Sequence, residues 1–185
     1  MDLSKYNRAH AARDGAWMHL AHPETREPLF AVGPLKADAD AGIDDGWNAL
    51  TAKEAETHPK AECKPIRFHL QGISSPTIRA MQRQHDDKIE LLRLRRKAST
   101  PEQIVALNND IQDETEAHGL AVLTAGILGW ENLPWQGALL EFTPENRTML
   151  LPRAGQLDAP TEWLAMQIGE FMRSHANFLP KRATG

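Results

Sequence analysis

The chain has 185 residues, 41% of them hydrophobic and 25% charged, with a formal net charge of −4. That length supports one medium domain, or one domain with a smaller appendage, and the charge balance excludes both a global basic field and a strongly acidic, solvating chain. A single cysteine, Cys63, excludes an intrachain disulfide, and no window nears the ~18 apolar residues of a membrane span. With no apolar signal region in Met1–Tyr6, a soluble cytoplasmic protein is expected.

Met1 to Asp14 is polar and reads as an arm that orders only against something else. Ala16–Leu20 alternates, His22–Pro28 has turn chemistry, and Leu29–Val32 resumes apolar character, which together predict a hairpin. Residues 33–64, clearest from Lys36, drift to Ala, Asp, Gly, Lys and Glu. They read as an insertion or linker with a turn of helix near Asn48–Glu56. Cys63 lies in a polar run and is read as an inert thiol, and His58, Cys63 and His69 match no zinc spacing, so no metal is expected. Pro65–Leu70 alternates in strict period two, a half-buried strand with Ile66, Phe68 and Leu70 facing a core. It should pair with the hairpin and end at Gln71-Gly72, giving one small antiparallel sheet of about three strands.

Ser75 as N-cap and Pro76 at the first helical position open a helix to Lys97, with Ile78, Met81, His85, Ile89 and Leu92 on one stripe. Arg79, Arg83, Lys88, Arg93, Arg95, Arg96 and Lys97 make its other face basic. Asp86, Asp87 and Glu90 interrupt that face and no aromatics interleave, which favours a solvated or protein-docking face over nucleic acid. Arg79, Arg83, Arg93, Arg95 and Arg96 are the partner-binding candidates. Thr100, Pro101 and Gln103 form a capping box for a second long helix, with Ile104, Leu107, Ile111, Thr115, His118, Val122 and Ala125 on its stripe. Leu120–Leu128 is so apolar that this half should be buried nearly all round, with Gly129 as the stop and the two helices antiparallel.

Trp130 should then pack over the helix end, Leu133–Gly137 should turn, and Leu139, Leu140 and Phe142 should lead into a short helix capped by Thr143-Pro144 and ended by Pro152. After a loop from Arg153 to Pro160, a final helix from about Thr161 to Asn177 carries Leu164, Ile168, Phe171 and Met172 on one face. Phe178-Leu179-Pro180 reads as an extended tail that docks back. The fold class is α+β and predominantly helical, a small sheet (N-terminal hairpin plus one strand) in residues 1–72 and a helical bundle in residues 73–185.

No phosphate loop, metal-ligand set or nucleophile motif is present, so no catalytic residue and no cofactor is expected. Gly129-Trp130, Phe142-Thr143-Pro144-Glu145-Asn146 and Asn177-Phe178-Leu179-Pro180 resemble, in that order, motifs of the tail-assembly chaperones of long-tailed bacteriophages and prophages. Phe171 on the last helix joins this mainly structural set. Gly15–Leu20, His22-Pro23, Glu27–Leu29 and Pro65–Leu70 are similar to members with an N-terminal β portion, and the likeness fails over Lys36–Lys64. The resemblance implies a non-catalytic factor that binds the tape-measure protein, a long helical chain, and keeps it soluble while the tail tube polymerises. The major tail tube protein and a second copy of the chain are further possible partners. A structural tail component, or a nucleic-acid module built on Arg79–Lys97, are the alternatives. Met81, Met149, Met166 and Met172 suit an adaptable client surface. Trp130, Phe142, Phe171 and Phe178 are expected as core anchors, and the outer faces of the long helices with the N-terminal arm as the partner surface.

Overall fold

A computed structural model describes residues 12–35, 46–97, 99–152 and 158–178. The protein is α+β and rich in helix, and its strands form small sheets. Two compact units each draw on separate stretches of chain: a helical unit of Met1–Ala16, Gln71–Gly126 and Leu150–Gly185, and a β unit of Trp17–Leu70 and Ile127–Met149. Residues 127–149, placed by sequence with the helices, thus belong to the β unit.

In the β unit, strands β1 (Ala16–His19), β5 (Arg67–Leu70) and β6 (Ile127–Glu131) form one sheet in the order β1-β5-β6. Period-two alternation holds: Ile66, Phe68 and Leu70 are fully buried, while Arg67 and His69 are half-exposed. Ala16–His19, one arm of the expected hairpin, does border β5. The other arm, from Leu29, joins a different sheet and meets the first at an isolated Ala21–Pro28 bridge. The second neighbour of β5 is β6, in the register Phe68↔Trp130 and Arg67↔Glu131. Arg67 and Glu131 close that end as a partly exposed ion pair.

The supposed insertion is structural. β2 (Leu29–Leu35) is the centre of a second sheet, flanked by β3 (Gly46–Thr51) and β4 (Glu62–Pro65), so that Phe30 lies between Leu50 and Pro65. Residues 36–45 lie outside the described residues. The helix expected over Asn48–Glu56 shrinks to α1 (Ala52–Ala55), because Asn48–Thr51 pairs with β2. Thr51 and Glu54 form a reciprocal capping box, and the Thr51 backbone N–H, then its hydroxyl, hold the Glu54 carboxyl below the usual range.

The turn expected at Leu133–Gly137 is a hairpin, β7 (Leu133–Trp135) and β8 (Ala138–Leu140). Gln136 and Gly137 both have positive φ, 50° and 79°, the geometry of a type I′ turn that matches strand twist. Gly46 (φ 133°) lies against this turn: a Cβ there would sit 2.2 Å from the Gly137 carbonyl oxygen, which accepts from the Trp47 N–H at 2.8 Å.

In the helical unit, α2 (Pro76–Lys97) and α3 (Pro101–Gly126) begin where their caps dictate. Ser75 Oγ accepts from Ile78 N, and Thr100 and Gln103 bond reciprocally. The two helices run antiparallel, tied by Lys88–Glu114 and by Arg96 donating to Asn108 Oδ1 at 3.1 Å. Between these ties and the C-terminal end of α3, His85 and His118 stack with centroids 4.0 Å apart.

α3 ends at Gly126, three residues before the expected stop, and Ile127 opens β6 directly. Its last carbonyls are taken by Gln71, whose N–H donates to Gly126 O at 2.9 Å and whose Nε2 donates to Ala125 O at 2.6 Å. Gly126 also faces Met172: a Cβ there would meet the methionine's terminal methyl at 2.3 Å. Gly129 is instead a strand residue opposite His69.

α4 (Pro144–Leu150) starts at Thr143, whose hydroxyl accepts from Asn146 N at 3.1 Å. α5 (Ala159–Arg173) starts two residues earlier than expected, at an Asp158 cap that the Thr161 hydroxyl and backbone N–H keep acidic below its ordinary value. It ends at Arg173, not Asn177. A 3₁₀ turn, His175–Phe178, follows, in which Asn177 Nδ2 donates to Phe171 O at 3.0 Å and Phe178 is buried. Phe178, the first residue of the expected tail, thus ends a 3₁₀ turn, and Leu179 and Pro180 lie outside the described residues.

Candidate functional site

The second long helix carries more apolar surface than the described residues cover. Burial nearly all round was expected for Leu120–Leu128, yet Leu120 and Val122–Ala125 are only half-buried and Ala121 is exposed. Gly126 is the one buried residue of α3. The uncovered surface lines a groove of about 760 Å³ bounded by α2, α3 and α5. Ile78, Leu120, Leu123, Ala165 and Met172 line its apolar surface, and Met166 stands beside them at 43% exposure.

Helix directions set the groove's electrostatics. Leu123 abuts Gly169, and Gly126 abuts Met172, so α3 and α5 run the same way along it. α2 runs the opposite way, with His85 beside His118 and Lys88 beside Glu114. This register places Arg79 and Arg173 at one end and Glu116 and Glu162 at the other, all exposed and all lining the groove. Between Glu162 and Arg173, α5 advances about 16 Å, at 1.5 Å per residue.

Gly119 lies mid-helix and also lines the groove, and nothing stands within 4 Å of where its Cβ would be. Glycine in a helix interior costs about 1 kcal/mol relative to alanine, and no contact among the described residues requires it here. The arrangement suits an apolar, elongated occupant whose backbone approaches α3 closely, with charge recognition confined to the ends.

Outside the groove lining, His85 and His118 form a stacked pair. Burial, then the charge of His85, push His118 below its ordinary value, against an opposing pull from Asp86 and Glu114. His118 Nε2 meets Gln82 Oε1 at 3.2 Å, and His85 Nδ1 is buried with no hydrogen-bond partner among the described residues.

The residues singled out by sequence fall in three places. Met166 and Met172 line the groove, Met149 is exposed in the β unit, and Met81 is half-buried in the hairpin. Of the arginines, Arg79 reaches the groove and Arg96 is engaged with Asn108. At about 100° per residue, Arg79, Arg83 and Arg93 share an arc of about 80°, and Arg95 turns to the opposite side. The motif residues hold the fold. Trp130 is buried, donates from its indole to Leu140 O at 2.8 Å, and meets Phe142 edge-on at 4.8 Å and Phe68 at 6.0 Å. Asn146 donates from its side chain to Glu141 O, Glu145 lies in the first turn of α4, and Phe171 meets Phe178 edge-on at 5.7 Å. None of these lines the groove.

Sequence reasoning missed Gly119, Gly169, Glu162 and Arg173. Their signals were faint: a glycine inside a periodic apolar helix, and small Ala165 and Gly169 four apart on another. Among the described residues no three His, Cys, Asp or Glu side chains converge as a metal site, and no helix is long and apolar enough to cross a membrane. No protein-family model, curated protein or solved structure matches the chain.

Proposed function

We propose that the chain is a non-catalytic tail-assembly chaperone of a long-tailed phage or prophage, acting in the host cytoplasm on the tape-measure protein. The observation that carries this reading is the groove: half-buried Leu120, Val122 and Leu123 beside exposed Met166 are apolar surface left open among the described residues. A long helical client presents many similar apolar stripes, and a methionine-bearing groove repacks around each without demanding one sequence. Fully burying one such side chain contributes about 1.5–3 kcal/mol, enough to mask client stripes and still release them to the polymerising tube. The order of the Gly-Trp, Phe-Thr-Pro-Glu-Asn and Asn-Phe-Leu motifs supports the family, and Trp130, Phe142 and Phe178 act in it as scaffold.

Co-expression with the tape-measure protein of the same phage tests the reading. The client is expected to be insoluble alone, soluble with this chain, and to co-elute with it. Met166→Glu, at an exposed position, should abolish co-elution while leaving the thermal melt unchanged. A client that stays insoluble and forms no complex with the wild-type chain would sink the proposal.

A further inference from the structure

We infer that the groove takes an amphipathic helix in one direction only, its N-terminal, basic end beside Glu116 and Glu162 and its C-terminal, acidic end beside Arg79 and Arg173. This rests on reading the groove as the site for client helices, and adds the direction and the contact point.

Two independent features carry it. The first is the sorting of charge. The four exposed ionic residues of the lining are two acids at one end and two arginines at the other, and Arg79, Arg173 and Glu162 enter no ion pair among the described residues. Glu116 is met only by Gln112, one turn earlier on the same helix. Dispersed surface charge tends to neutralise itself; charge separated along a groove makes a field along it. A docked helix has a dipole of its own, positive at its N-terminus, and the same orientation satisfies the dipole and the side chains.

The second is Gly119. Glycine is a poor helix former, and the open space around it shows that the chain's own packing does not call for one. A missing side chain on the groove lining lets another helix approach α3 closely, provided its own contact residue is small. The Arg173 guanidinium folds back over Gly169, about two helical turns from Glu162, so the occupant is a helix of at least two turns with an apolar stripe and Ala, Gly or Ser where it crosses Gly119.

Two labelled peptides test this, each of about 14 residues with an identical Leu/Ala stripe, long enough for a continuous helix. One has Lys in its first turn and Glu in its last; the other has them exchanged. Fluorescence anisotropy at low salt should show the first binding about fivefold more tightly, as expected for two end-charge interactions. A paramagnetic label on the N-terminus of the first peptide should broaden NMR signals at Glu116 and Glu162 of the parent, and at positions 79 and 173 of the fourfold variant Arg79→Glu, Arg173→Glu, Glu116→Lys, Glu162→Lys. Because the turn is read on one peptide, intrinsic helicity cancels.

Gly119→Leu should lose both peptides while its circular dichroism stays that of the parent. Equal affinities, a label that keeps its place in the fourfold variant, or undiminished binding to Gly119→Leu would overturn the inference. So would a dimer in sedimentation that dissociates in Gly119→Leu, since the groove would then hold a second copy. Directional peptide binding without tape-measure rescue would keep the groove and reject the chaperone reading. Rescue without directional preference would do the reverse.

Discussion

The β unit and the helical hairpin solve the burial problem in opposite ways. In the β unit, Ile66, Phe68, Leu70 and Ile127 have no exposed surface, and Trp130 is locked by a hydrogen bond and two aromatic neighbours. In the hairpin, α3 spends 26 residues and buries only Gly126, and α2 buries Ile78 and Ile89 over 22. One region has used its apolar surface to fix itself. The other has kept part of it available. A half-covered helix gains less from tertiary packing than a closed core does, and the exposed ties across the hairpin add little to it.

That contrast can be broken at Phe68. Phe68→Ala removes a fully buried ring and is expected to cost about 3–5 kcal/mol, read by urea unfolding with tryptophan fluorescence. Met166→Ala on the groove should stay within about 0.5 kcal/mol of the parent. Equal losses at the two positions would erase the distinction between scaffold and surface.

The next effect sharpens it at the end of α3. Gln71→Ala removes the side chain that satisfies Ala125 O and should cost about 1–3 kcal/mol, read in the same titration. A neutral result would mean that the helix end is satisfied without it.

The caps were the legible part of the fold. Ser75, Thr100 and Thr143 announce helices through contacts three residues long, and the structure places a helix start at each. Pro65–Leu70 was equally plain, because two-residue alternation needs no knowledge of its neighbours. β3 and β4 were not: Cys63, Lys64 and Asn48 look like linker residues, and only their pairing with the centrally placed β2 makes them strands. The helix stops at Gly126 rather than at the expected Gly129, and the partners that decide it, Gln71 and Met172, come from far along the chain. The groove was illegible for a related reason. Apolar periodicity says that a face wants cover, and cannot say that the chain withholds it.

Smaller effects follow within α3. Gly119→Ala should raise stability by about 0.4–1 kcal/mol, seen as a higher melting temperature, since alanine is the better helix former and meets no obstacle. Gly126→Ala should lower it, because its Cβ falls on Met172. Two glycines in one helix would thus respond with opposite signs, and like signs would remove the argument that Gly119 serves an occupant.

The pH dependence comes last. His118 has a folded-state value below its ordinary 6.5, so the unfolded chain binds the proton more readily. Its contribution is fully present above about pH 6.5 and is lost as pH falls through the lowered value. Melting temperatures from pH 8 to 5 should therefore drop more steeply for the parent than for His118→Gln. Parallel curves would show that the stacked pair carries no proton linkage.

The pairing of β5 with β6 has a consequence for synthesis. Arg67 meets Glu131, and the helices α2 and α3 are made between them. At ribosomal speeds of about 5–20 residues per second, β5 waits on the order of 3–13 s for its second neighbour. The hairpin built in that interval depends on contacts close in sequence and forms far faster than the delay. The nascent chain thus holds β5, with its buried Phe68 and Leu70, with one edge unpaired while the α2–α3 hairpin is already complete. Yield in the cell should depend on translation speed across residues 71–126, although no residue there belongs to the sheet.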